Sequence, residues 1–191
     1  MDNLGWLIPV IIVAVIVIAL AAWFFITRKH LQTATAQVDA SWNDVADQLK
    51  RRNDLIPNLV AAVREFAGPE QQVYAELESA SADAVASSGP NDAAAAENRF
   101  QGALRSVFGL VSGYPQLSNQ PNFLQIKADL VQTEDKIQAA RRNYNSTVRG
   151  YNRQISRFPN SLVAGSAHAE ERAIYEVTDR AAISEPPRVQ F

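Results

Sequence analysis

The hydrophobic pattern changes character near residue 30. Leu7 to Ile26 is a run of twenty residues without a charged side chain. From Leu31 onward the apolar positions recur in steps of four and three: Val38, Trp42, Val45, Leu49, Ile56, Leu59, Val63 and Phe66. That spacing places side chains along one seam of an α-helix packed against others, and Arg52 falls on the same seam. A weaker, alanine-rich face of Val73, Tyr74, Leu77, Ala80, Ala84 and Val85 predicts a second helix over Glu70 to about Ser87. Phe100, Leu104, Val107, Val111 and Tyr114 predict a third, over Ala93 to about Ser112. A fourth spans Asn122 to about Arg157, with a seam of Leu130, Glu134, Ile137, Arg141, Tyr144, Val148, Tyr151, Ile155 and Phe158.

The breaks between these patterns have physical causes. Gly68-Pro69 ends or sharply kinks the first helix, glycine suiting a C-terminal cap and proline the first turn of a new helix. Pro57, inside the first helix, cannot bond to the Asn53 carbonyl and is expected to bend it. Ser87 to Asp92 is a loop in which Asn91 or Asp92 can cap the next helix. Gly113 and Pro115 stop the third helix, Ser118 to Pro121 starts the fourth, and Phe158-Pro159-Asn160 closes it. The expected fold is all-α: an N-terminal transmembrane helix followed by an elongated antiparallel four-helix bundle. Residues 1–27 form the anchor, 28–160 the bundle and 161–191 a polar C-terminal tail. The tail ends in Pro186-Pro187-Arg188-Val189-Gln190-Phe191, which suits either an extended arm or disorder.

Twenty apolar residues in a helix reach about 30 Å, the thickness of a bilayer's hydrocarbon core. Trp6 and Trp23 stand near the two ends, where interfacial aromatics belong. A cleaved signal peptide would carry its basic residues before the apolar run, whereas Arg28 and Lys29 follow it. The residues 7–26 are therefore expected to contact the lipid bilayer as an uncleaved single span. Asp2 is the only charged side chain ahead of it. The positive-inside rule then puts the amino terminus outside and the bundle in the cytoplasm, on a bias of two residues.

Composition narrows the chemistry. The formal net charge of -2 gives no reason to expect nucleic acid, and the absence of cysteine removes disulfides, thiolate catalysis and cysteine zinc sites. Two histidines, His30 and His168, leave little material for a metal site. No Glu-x-x-His pair, Gly-x-Ser-x-Gly, Walker loop or dinucleotide fingerprint occurs. No catalytic, cofactor-binding or metal residue is expected, and no cofactor.

Three charges sit where the pattern alone would place leucine: Arg52, Glu134 and Arg141. Either each snorkels to water from the seam's edge, or Glu134 takes Arg52 or Arg141 in a buried ion-pair layer. Such a layer adds little net stability but fixes register between long helices. Tyr144-Asn145 and Tyr151-Asn152 stand seven apart. Their asparagines serve structure, by bonding neighbouring helices or facing water, or form a polar stripe for a partner.

Trp42, the run Gln48 to Val60 (QLKRRNDLIPNLV), Thr133 to Asn145 (TEDKIQAARRNYN), Val148, Tyr151-Asn152 and Phe158-Pro159 resemble the LemA family of bacterial membrane proteins in order and spacing. Gly5-Trp6 and the closing Arg188 to Phe191 are similar as well. The resemblance covers nearly the whole chain; Gly68-Pro69 departs from it, since continuous helix is more usual there. It implies a single-pass protein of the bacterial cell membrane with an antiparallel helical bundle and no established catalytic activity. It also implies a membrane-associated interaction protein, of a kind often encoded near membrane metalloproteases of the HtpX type.

The expected function is therefore noncatalytic: protein–protein interaction or self-assembly at the membrane, as a homo-oligomer or with an unidentified protein partner. An adaptor or regulator of an HtpX-type membrane protease is an alternative, and an enzyme with an unrecognised site a more remote one.

Overall fold

The computed structural model describes residues 7–67 and 71–177. Trp6, the Gly68-Pro69 junction and the chain from residue 178 to Phe191 lie outside the described residues. The structure is all-α: the described residues form helices, turns and one irregular stretch, with no strand among them. Helix α1 runs from Leu7 to Ala67, α2 from Gln71 to Ala86, α3 from Pro90 to Ser112 and α5 from Pro121 to Ser156. Two one-turn helices, α4 (Pro115–Ser118) and α6 (Ser161–Ala164), complete the set, and a 3₁₀ turn over Gly165–Ala167 follows α6.

The residues group into two compact units. The first comprises Met1–Asp39 and Thr147–Arg172; the second comprises Ala40–Ser146 and Ala173–Phe191.

In the second unit the four-three seams become the core. Val45, Leu49, Ile56, Leu59 and Val63 of α1 are buried, as are Tyr74, Leu77, Ala80 and Ala84 of α2. Phe100, Val107 and Val111 of α3 and Leu130, Ile137 and Tyr144 of α5 join them. Pro57 sits inside α1 without ending it; its ring is exposed, so the missing amide bond falls away from the packed face. Only Ser87, Ser88 and Gly89 separate α2 from α3, and the two pack together. On their outer surface Arg99 reaches both Glu76 (3.0 Å) and Asp83 (2.6 Å). All three are half exposed, so these pairs contribute little to stability.

Several element ends differ from expectation. Helix α3 begins at Pro90 rather than Ala93, because proline is well placed at a first helical position and Ala93 N–H already donates to the Gly89 carbonyl at 3.0 Å. Neither Asn91 nor Asp92 is the cap; Asp92 instead accepts a hydrogen bond from the Ser88 hydroxyl at 2.5 Å. Helix α4 is an addition to the four helices that the seams predict: Pro115 opens a single turn that buries Leu117 in the core. The two seams overrun their helices. Tyr114 and Phe158 continue the four-three count but lie beyond Ser112 and Ser156, and both are exposed.

In the first unit, Leu31 and Val38 of α1 are buried, together with Val148, Tyr151 and Ile155 of α5. The Thr35 hydroxyl donates to the Tyr151 hydroxyl at 3.3 Å, and Gln154 Nε2 lies 2.6 Å from His30 Nδ1. The start of α1 is different. Val10 to Ile18 is exposed, and the most apolar window of the helix has a mean hydropathy of 3.0. By length and composition it is able to cross a membrane. Trp23 is half-buried on its last turns.

Candidate functional site: a buried charge layer

The second unit places a charged side chain in the middle of its core. Arg52 is 1% exposed and is the largest fully buried side chain. Its neighbours on the α1 seam, Leu49 and Ile56, are buried because they are apolar; Arg52 is buried because its charge is matched. Glu97 of α3 takes it in a two-pronged pair, with Arg52 Nη1 donating to Oε1 at 2.9 Å and Nη2 to Oε2 at 2.6 Å. This fork geometry is what a planar guanidinium offers a carboxylate. Arg52 Nη1 also donates to Glu134 of α5 at 3.2 Å. The flat face of the guanidinium lies 3.7 Å from the centroid of the Phe100 ring. Arg52 Nε has no hydrogen-bond partner among the described residues.

The layer extends through amides. Gln101 donates to Glu97 Oε1 at 2.8 Å, and Gln138 donates to Glu134 Oε1 at 2.8 Å. Arg141 donates to Gln138 Oε1 at 2.6 Å. Two arginines and two glutamates thus balance across three helices. Of the three charges found on the seams, Arg52 and Glu134 meet directly, while Arg141 joins through Gln138.

Glu97 falls outside the apolar seams read from the sequence. A signal was present: stepping back three from Phe100 and four more gives Glu97 and Ala93, both buried. The alanine run from Ala93 to Ala96 hid the period, because alanine suits any face of a helix.

Electrostatics follow from burial. Desolvation alone would lower the Arg52 pKa, but the adjacent Glu97 charge and its hydrogen bonds, with Glu134 behind them, outweigh it and hold the guanidinium above its ordinary value. For Glu97 burial pushes upward, and Arg52, then Gln101 and Arg141, pull the carboxyl below its ordinary value. Both groups are therefore charged across the physiological range.

Tyr175 and Val177 close one side of this layer. The stretch over Glu171–Val177 has no regular secondary structure, and its Tyr175 side chain is 1% exposed. Asn145 holds it by a reciprocal pair: Nδ2 donates to the Tyr175 carbonyl at 3.0 Å, and Oδ1 accepts from the Tyr175 amide at 2.8 Å. The Tyr144 hydroxyl donates to the Ala173 carbonyl at 2.8 Å. In the first unit Asn152 makes the same two-bond clamp on Arg172, at 2.8 and 3.0 Å. The asparagines thus bond the backbone of a non-helical segment rather than a neighbouring helix. Tyr175 stacks edge-on against Trp42 at 5.8 Å and lies 5.9 Å from the Arg141 guanidinium. Burial, then the Glu97 charge, raises its phenol above the ordinary value, so it stays neutral. Its hydroxyl has no hydrogen-bond partner among the described residues.

Beside Glu97, Glu134, Arg141 and Tyr175 lies a cavity of about 10 Å³. That is room for about one water. Among the described residues no three His, Cys, Asp or Glu side chains are grouped to hold a metal.

The LemA family profile matches residues 41–191, from the α1 seam through the charge layer and beyond. The chain belongs to the LemA family. Two magnetosome proteins of Paramagnetospirillum magneticum, MamQ 1 and MamQ 2, are each 21% identical to it over 174 residues. The alignment covers 78% of this chain and 64% of theirs, so the chain spans under two thirds of these relatives' length. With a bilayer-length apolar segment ahead of the matched region, this LemA-family chain is a membrane protein.

Proposed function

We propose that this chain is a noncatalytic, membrane-anchored helical protein that carries out protein–protein interaction or self-assembly at the bilayer. The observation that carries this reading is the continuity of α1. One helix begins as the apolar segment and ends as the seam that builds the core of the second unit. The charge layer supports the noncatalytic part. Its ionised groups are spent on one another, and the adjoining space admits little more than a water. Its role is to set the register of α1, α3 and α5, because a one-turn slip would leave Arg52 and Glu97 buried without their partners. A LemA-family chain with this arrangement presents a helical surface, on which Leu124 and Val131 stand exposed, seven residues apart on α5. Arg28 and Lys29 favour an orientation with the second unit in the cytoplasm.

Photo-crosslinking from Leu124 and Val131, one at a time, in native membranes tests the reading. Adducts to one reproducible protein, or to a second copy of the chain, are expected; a membrane protease among them would specify an adaptor. Adducts to lipid alone at both positions would overturn it. Ser88→Cys, labelled in intact cells with an impermeant thiol reagent, tests the orientation, which fails if the label reacts.

A further inference from the structure

Two of the most exposed large apolar side chains outside the apolar run are Phe158 (76%) and Leu162 (69%), both in the first unit. They stand at the corner between α5 and α6, and the corner is well tied. Asn160 Nδ2 donates to the Gln154 carbonyl at 3.2 Å, Ala164 N–H donates to the Asn160 carbonyl at 3.0 Å, and Val163 and Ala167 are buried beside them. The exposed pair is therefore held outward by a built turn.

The level of this corner along α1 follows from the contacts. Thr35 meets Tyr151 and His30 meets Gln154, so α1 and α5 run antiparallel within this unit. Two residues further on each helix, about 3 Å, α5 ends at Ser156 level with Arg28, two residues after Ile26, the last residue of the apolar run. The turn that carries Phe158 follows directly. Thr27 and Leu31 are buried, so protein covers α1 up to the end of that run. Exposed Lys29, Arg153 and Arg157 lie around the same level.

We propose that the α5–α6 corner is a second membrane contact, in which Phe158 and Leu162 enter the boundary between lipid headgroups and acyl chains beside α1. The proposal rests on α1 being a membrane span, and its occupant is lipid because the exposed pair continues the level at which that span leaves the bilayer. Apolar side chains flanked by basic ones suit this depth: the rings and branches leave water while the cations meet anionic phosphates. The contact would fix the first unit against the bilayer at two points.

The absence of cysteine makes the test direct. Nitroxide labels are placed singly by Phe158→Cys, Leu162→Cys, Val15→Cys and Ser88→Cys in the full chain, reconstituted in mixed phosphatidylcholine and phosphatidylglycerol bilayers. Power saturation then compares oxygen, which concentrates in lipid, with a nickel chelate, which stays in water. Labels at 158 and 162 are expected to show an oxygen-to-nickel ratio several-fold above that at 88 and below that at 15. A ratio at 158 and 162 equal to that at 88, with 15 still in lipid, overturns the second contact alone. A water-exposed label at 15 overturns the span and this proposal with it. Protection from both reagents with spin–spin broadening shows a second copy on the corner, and also overturns it.

Discussion

The two parts of α1 use hydrophobicity in opposite ways. Val10 to Ile18 carries no charge and is exposed; the seam from Val38 to Val63 carries Arg52 and is buried at every position but the half-buried Trp42. Apolar character alone therefore does not decide what is covered by protein. In the first part every direction around the helix is apolar, which suits a lipid solvent. In the second, one seam is apolar and the other faces are polar, which suits packing against helices in water. The buried arginine is tolerated because α3 and α5 deliver carboxylates to it. No such partner is available within the apolar run.

Breaking the pair in the second part should have the largest effect. Arg52→Ala leaves Glu97 buried and unpaired, and should cost about 3–5 kcal/mol of stability, measured by denaturant unfolding of the detergent-solubilised chain. Replacing both partners together, Arg52→Met with Glu97→Leu, should recover most of that loss, and a double variant as unstable as the single one would show that the layer is not a coupled unit. The converse change in the first part, Ile16→Arg, should weaken membrane insertion by about 2.5–3.5 kcal/mol, read as the fraction of chain released by alkaline extraction. Equal retention of both proteins would sever the contrast between the two parts.

Acid should separate the parts further. The Glu97 carboxyl is held below its ordinary value in the folded state. It therefore adds stability that is complete above the unfolded value, near the ordinary 4.5, and is lost as pH falls through the lower folded value. Glu97→Gln should flatten this acid limb of a melting-temperature profile and leave the apolar run unaffected. A limb of unchanged steepness would assign acid sensitivity to other carboxylates. The smallest effect expected is that of Asn145→Ala, which removes both bonds to Tyr175 and should cost about 1–3 kcal/mol. Hydrogen exchange should quicken at the Tyr175 amide first; protection there matching the parent chain would mean that ring packing against Trp42 and the Tyr144 bond to Ala173 hold the segment without the clamp.

Much of this was legible in the chain itself. A twenty-residue uncharged run, four-three seams and glycine–proline punctuation are local properties, and they specify helix positions and an all-α fold because helix period and turn chemistry act over a few residues. The seam put Arg52 and Glu134 on the packed side of their helices but left open whether each paired or reached water. Glu97 was harder to see because its neighbours are alanines, and a period needs contrast to show. The clamps of Asn145 and Asn152 carried a visible seven-residue spacing but no mark of their partner. A non-helical backbone offers amide and carbonyl groups whatever its side chains are, so its sequence gives no sign of where it docks.

The sequence by itself thus determined the helices, the apolar segment and which faces turn inward. Only the tertiary structure decided which carboxylate takes Arg52, where Tyr175 lodges and how Phe158 comes to be exposed. The physical reason is range. Helix period repeats every few residues, whereas Arg52 and Glu97 stand 45 residues apart and Asn145 and Tyr175 stand 30 apart. Pairings at those separations are selected by charge balance and by the space that the packed helices leave.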